Sequence, residues 1–184
     1  MNRARLALFL SALALPSLAS AQQDSSSLIA QEKEAMRSFA WMDGIWRGEA
    51  VTKGESGDEH RIVQTERVRP QMGGTVKLVD GAGRGPDGAI QFQALGIVSF
   101  NPATKAYEFR TYALGRAGTF PIVPTADGYV WTIAAGPANI RYTASVSGTR
   151  WHEVGERIVP GQAPVKFFEM TLERIGHAPA EPAP

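Results

Sequence analysis

Cysteine is absent from the 184 residues, and histidine occurs only three times. The first absence excludes a disulfide framework, a thiol nucleophile and an acylated lipoprotein terminus. The second leaves no pair of histidines at metal-ligand spacing, so a zinc mechanism lacks its parts and no metal is expected. No G-x-S-x-G elbow is present, which removes the usual serine-hydrolase arrangement. Charge of one sign is also scarce: 19 basic residues face 18 acidic ones, a net charge of +1. Nothing here implies a basic surface for nucleic acid. The longest apolar stretch, Leu6 to Leu15, is too short to span a bilayer, so no membrane anchor is expected.

That stretch belongs to MNRARLALFLSALALPSLASA, in which Arg3 and Arg5 precede the apolar core, Pro16 breaks it, and Ala19-Ser20-Ala21 ends it. Residues 1–21 therefore read as a secretory signal peptide, and the expected location is periplasmic. Without Arg3 and Arg5 the basic residues fall to 17 against 18 acidic ones, a net charge of −1. What remains is about the length of one domain with a core that needs no staples. The closing HAPAEPAP, residues 177–184, is Pro- and Ala-rich and reads as a disordered tail.

Residues 22–42 are polar and helix-compatible, with Ser25, Ser26 and Ser27 available as caps and Leu28, Ala35, Phe39 and Met42 on one side. After Asp43 the character changes. Short runs rich in Val, Ile, Phe, Tyr, Trp and Thr recur at intervals of about a dozen residues, separated by turn chemistry such as KGESGD, RPQMGG, DGAGRGPDG, NPATK and PGQAP. They place strands at 45–52, 61–68, 75–79, 90–100, 106–114, 118–123, 129–134, 139–146, 151–158 and 165–175. Consecutive strands joined by hairpin-length links predict an all-β fold: a closed antiparallel meander barrel of about ten strands over residues 43–176, preceded by one N-terminal helix.

The last run, VKFFEMTLERI, sharpens that expectation. Phe168, Met170, Leu172 and Arg174 share the apolar face. An inward guanidinium needs a partner. Trp46 is the natural one, because the first and last strands of a closed meander are neighbours and an indole face attracts arginine. Gly44 and Gly48 on either side would let the chain bend tightly and lay Trp46 across one end of the barrel.

The pieces WMDGIWRGEA, RPQMGGTV, QALGIVSFNPATKAYEFRTYA and FFEMTLER resemble the calycin group of lipocalins, fatty-acid-binding proteins and nitrobindins, and within it the bacterial DUF1579 barrels. Nitrobindin-type barrels imply haem on a histidine a few residues ahead of a closing Leu-x-Arg. Leu172-Glu173-Arg174 matches that ending, yet Phe167 stands about where the histidine would be. His152 shares a strand with Trp151, which has the stronger claim on the interior, so haem is not the favoured occupant and no cofactor is expected.

A ten-strand barrel is wider than its side chains fill, and its interior usually holds water or a small ligand. Alternation puts Tyr107, Phe109, Tyr129, Trp131, Tyr142, Phe168 and Met170 toward the lumen and allows Glu66 to join them. Aromatic residues with polar tips suit a small apolar or amphipathic molecule. Arg110 and Arg141 would flank an anionic headgroup if they faced inward, but alternation turns them toward water. The run Gly115 to Thr125 is a candidate lid. GAGRGPDG, residues 81–88, lacks a following helix to hold phosphate and reads as a flexible hairpin loop. The favoured reading is an exported binding module without catalysis. The alternatives are an enzyme with Glu66 as base and Tyr107 or Tyr142 as donor, a haem barrel, and a structural barrel with no ligand.

Overall fold

The computed structural model describes residues 18–178 of the chain. Residues 1–17 of the expected leader and residues 179–184 of the expected tail lie outside the described residues, whereas Ala19 to Ala21, where cleavage is expected, fall within the first helix. Among the described residues no helix is long and apolar enough to cross a membrane.

Helix α1 spans Leu18–Met36 and runs into a 3-10 turn over Arg37–Met42. Ten strands follow: β1 (Gly44–Lys53), β2 (Glu59–Gln71), β3 (Val76–Arg84), β4 (Ile90–Asn101), β5 (Ala106–Ala113), β6 (Arg116–Pro124), β7 (Gly128–Ala135), β8 (Ala138–Ser147), β9 (Arg150–Ile158) and β10 (Val165–Gly176). Each pairs antiparallel with its sequence neighbours, and β10 returns to β1, which closes the barrel. The expected meander is the observed topology.

Three local expectations are corrected. The glycine-rich run at 81–83 is not loop but the second half of β3, paired with both β2 and β4. It stays extended because neighbouring side chains lie over it: a Cβ at Gly81 would sit 2.8 Å from Glu66 Oε1 and one at Gly83 2.8 Å from Gln64 Oε1. The run 115–125 is not a lid, since β6 occupies it and hairpins directly with β5. Leu28, expected on the packed side of the helix, is exposed; only from Met36 onward, with Phe39 and Met42, do helical side chains enter the core.

The helix and its 3-10 turn cap the end of the barrel where β1 starts and β10 ends. Phe39, Trp46, Val68, Val98, Ile122, Trp151 and Leu172 are fully buried there. Burying each large apolar side chain contributes roughly 1.5–3 kcal/mol, so this plug is the energetic centre of the fold. Rings interlock within it edge to face: Trp41 with Trp151 at 5.3 Å, Trp46 with Trp151 at 5.6 Å, Phe39 with Tyr107 at 5.4 Å.

Candidate functional site

The opposite end, reached by the 54–58, 85–89, 114–115, 136–137 and 159–164 turns, carries no helix among the described residues. Inward-facing residues there, including Phe92, Phe109, Phe120, Trp131, Tyr142 and Phe168, are only half-buried, so water reaches the lumen from this side. The seam between β6 and β7 adds to the opening. Only Ile122, Val123 and Pro124 pair with β7, whereas β7 pairs with β8 along eight positions. Pro121 lacks the N–H that would continue the ladder.

Inward glycines leave room for aromatic rings against the barrel wall. A Cβ at Gly96 would collide with the Phe109 ring, one at Gly118 with the Phe120 ring, and one at Gly155 would lie 2.8 Å from Tyr142 Cε1 and 2.9 Å from Phe168 Cβ. These rings lie over the glycines. They form a connected belt: Phe109 against Trp131 at 5.2 Å, Trp131 stacked on Tyr142 at 4.3 Å and 7°, and Tyr142 against Phe168 at 5.8 Å.

Below the belt lie two carboxyl groups, Glu66 on β2 and Glu153 on β9, 9 % and 6 % exposed. Glu153 accepts hydrogen bonds from Tyr129 Oη at 2.8 Å and Trp131 Nε1 at 3.1 Å. Glu66 accepts one from Gln64 Nε2 at 2.7 Å, while Gln64 Oε1 is buried without a partner. Burial raises the Glu66 carboxyl to about 7; the bond from Gln64 opposes this, and the charges of Glu153 and Asp80 add to it. Burial also raises Glu153, against the bonds from Tyr129 and Trp131. Tyr142 is pushed up to about 12 by burial and by the charge of Glu153, and Tyr129 well above its ordinary value for the same two reasons.

These shifts make stability depend on pH. Between about 4.5 and about 7 the unfolded chain releases the Glu66 proton while the folded chain retains it, so folding stability falls as pH rises through that window and levels off above it. The exposed Glu169, held down to about 2 first by Lys166 and then by His152, acts only in more acidic solution. Urea unfolding at pH 5 and pH 8 should therefore show Glu66→Gln losing about 2.5 kcal/mol less than the parent across the interval. An identical loss in both proteins would rule out a displaced Glu66.

The structure brings Glu66, Phe109, Tyr129, Trp131, Tyr142, Phe168 and Met170 to the inner face of the barrel. Tyr107 also faces inward, but at the capped end, where its hydroxyl donates to the Ala35 carbonyl at 3.0 Å; it is spent on holding the helix. The seam residues meet as well. Trp46 and Arg174 are cross-strand partners, with the guanidinium 4.1 Å from the indole centroid. Arg174 further donates to the backbone carbonyls of Asp43 and Trp41, and Trp46 Nε1 to the Met42 carbonyl at 2.7 Å. Gly44 adopts φ +147°, and a Cβ there would lie 3.0 Å from Arg174 Nη1. Arg110 and Arg141 face outward, the first on Tyr112 and the second on Glu156. His152 also faces outward, its Nε2 3.0 Å from Glu169.

Glu153 is the residue that sequence reasoning passed over. It alternates with Trp151, whose inward claim was recognised, so period two alone places it in the lumen. A groove of about 180 Å³ on the outer wall of β1 and β10 is a weaker candidate. Its charges already pair off, Lys53 with Glu59, Arg61 with Glu49 and Lys166 with Glu169. Among the described residues no cluster of three or more metal-ligating side chains is present. No protein-family profile matches the chain, and no curated protein matches it.

Proposed function

We propose that the protein is an exported, calycin-type binding barrel of the DUF1579 kind that holds a small apolar or amphipathic molecule in its lumen, with the Trp46–Arg174 stack closing the far end structurally. The observation that carries this reading is the aromatic belt: inward rings lie over inward glycines and are half-buried at the end away from the first helix. Apolar lining with a few convergent polar groups is the usual composition of a small-molecule site. The leader-like residues 1–21 support export to the periplasm.

The enzymatic alternative finds less support. Of its two proposed donors, Tyr107 is committed to the helix, and Tyr142 is stacked on Trp131 with its hydroxyl held far from ionisation.

Ala94→Trp tests the binding reading. Ala94 faces the lumen near the open end, half-buried and opposite Ala113, so an indole there obstructs the passage without entering the packed plug. The neutral dye Nile red should bind the parent with blue-shifted emission and bind Ala94→Trp at least about tenfold more weakly, at an unchanged melting temperature. Equal binding by both proteins would place the dye on the outer wall and remove the lumenal reading.

A further inference from the structure

The geometry points to an organic cation, a protonated amine or quaternary ammonium on an apolar body, as the class of ligand, with its charged head seated between Glu66 and Glu153 under the aromatic belt. This rests on the lumenal binding reading above and adds the sign of charge. Three separate observations converge on it.

The first is the distribution of inward charge. Glu66 and Glu153 both face the lumen, and neither has a cationic partner within hydrogen-bond reach among the described residues. The inward cations are used elsewhere: Lys77 pairs with Asp43 and Arg174 is held by Asp43, Trp41 and Trp46, all at the capped end. Arg116 and Arg157, cross-strand from the inward Ala113 and Ile140, are exposed at the rim. The inner face of the barrel below the belt therefore holds two buried carboxyl groups without a counter-charge, and a cation there would favour their ionised form.

Gln64 supplies the second. This side chain is 3 % exposed, turned inward beside Glu66, and its Oε1 is a buried acceptor with no partner. Together with the carboxylates it makes a group of acceptors short of donors, which an ammonium with N–H bonds to give would satisfy.

The third is the belt itself. Trp131 is both a hydrogen-bond donor to Glu153 and the ring stacked on Tyr142, so a buried carboxyl group and the π faces adjoin. Aromatic faces attract cations and repel anions, and desolvation strengthens the effect. An anionic ligand would meet both the carboxylates and the ring faces unfavourably.

Three isosteric probes separate the possibilities: 2-phenylethylamine, 2-phenylethanol and phenylacetate, titrated calorimetrically into the full chain. The amine should bind at least about tenfold more tightly than the alcohol, and phenylacetate most weakly. Glu66→Gln and Glu153→Gln should each weaken the amine about tenfold and leave the alcohol within about twofold, which also shows that the variants remain folded. Alcohol or acid binding as tight as the amine overturns the cation and leaves the barrel as a binding module. Amine binding indifferent to both substitutions also overturns it, since the head would then lie away from the carboxylates. Binding by none of the three overturns both readings.

Discussion

Gly48→Ala should prevent the barrel from closing. Gly48 pairs with Leu172 across the β1–β10 seam, and a Cβ at that position would overlap the Thr171 carbonyl oxygen and lie 2.9 Å from Leu172 Cα. These are backbone atoms of the facing strand, so no rotamer change relieves the contact. The strands must separate, and each ladder hydrogen bond lost costs about 0.5–1.5 kcal/mol. Overpacking of flexible cores already costs roughly 1–3 kcal/mol. Against a rigid backbone neighbour at the seam, a total above about 4 kcal/mol is expected, a large share of the roughly 5–15 kcal/mol that holds a typical domain together. Urea unfolding followed by circular dichroism measures it. A midpoint equal to that of the parent would mean that β10 moves outward freely and that the seam is not the closure point.

Arg174→Lys should be nearly as damaging as Arg174→Ala, although it keeps the charge. The guanidinium stacks on Trp46 while donating through separate nitrogens to the Asp43 and Trp41 carbonyls. A lysine ammonium is a point charge on a flexible stem and does not reproduce a planar fork laid flat on a ring. The stack contributes about 0.5–2 kcal/mol, and hydrogen bonds from a charged donor about 1.5–3 kcal/mol each. Either variant should lose about 3–5 kcal/mol and melt roughly 10 °C lower. The loss should be concentrated at the junction of the 3-10 turn with β1, visible as faster amide exchange at Trp41 to Gly44. Full retention of stability by the lysine variant would show that charge alone, not the forked geometry, holds the end closed.

Both effects arise where the chain's termini of the sheet meet, and that meeting was legible early. Period-two alternation in β10 puts Arg174 on the inner face, meander connectivity makes β1 its neighbour, and only an aromatic ring at Trp46 is placed to receive it. The same alternation identifies the aromatic belt. It also reaches Glu153, which shares the inner face of β9 with Trp151. The second half of β3 is not legible in the local sequence. Gly81 and Gly83 have loop composition, and nothing local says that they are extended; Glu66 and Gln64, which require the bare wall, lie on the neighbouring strand.

Strand number and antiparallel order were thus determined by the sequence alone, because turn chemistry and period two are local properties of the chain. Which end is capped, which rings lie over which glycines, and which acids lack a counter-charge were decided only by the tertiary structure. The helix could pack on either mouth as far as its own pattern goes. A glycine shapes the lumen only when a ring lies over it, and a buried carboxylate is uncompensated only when no inward cation reaches it.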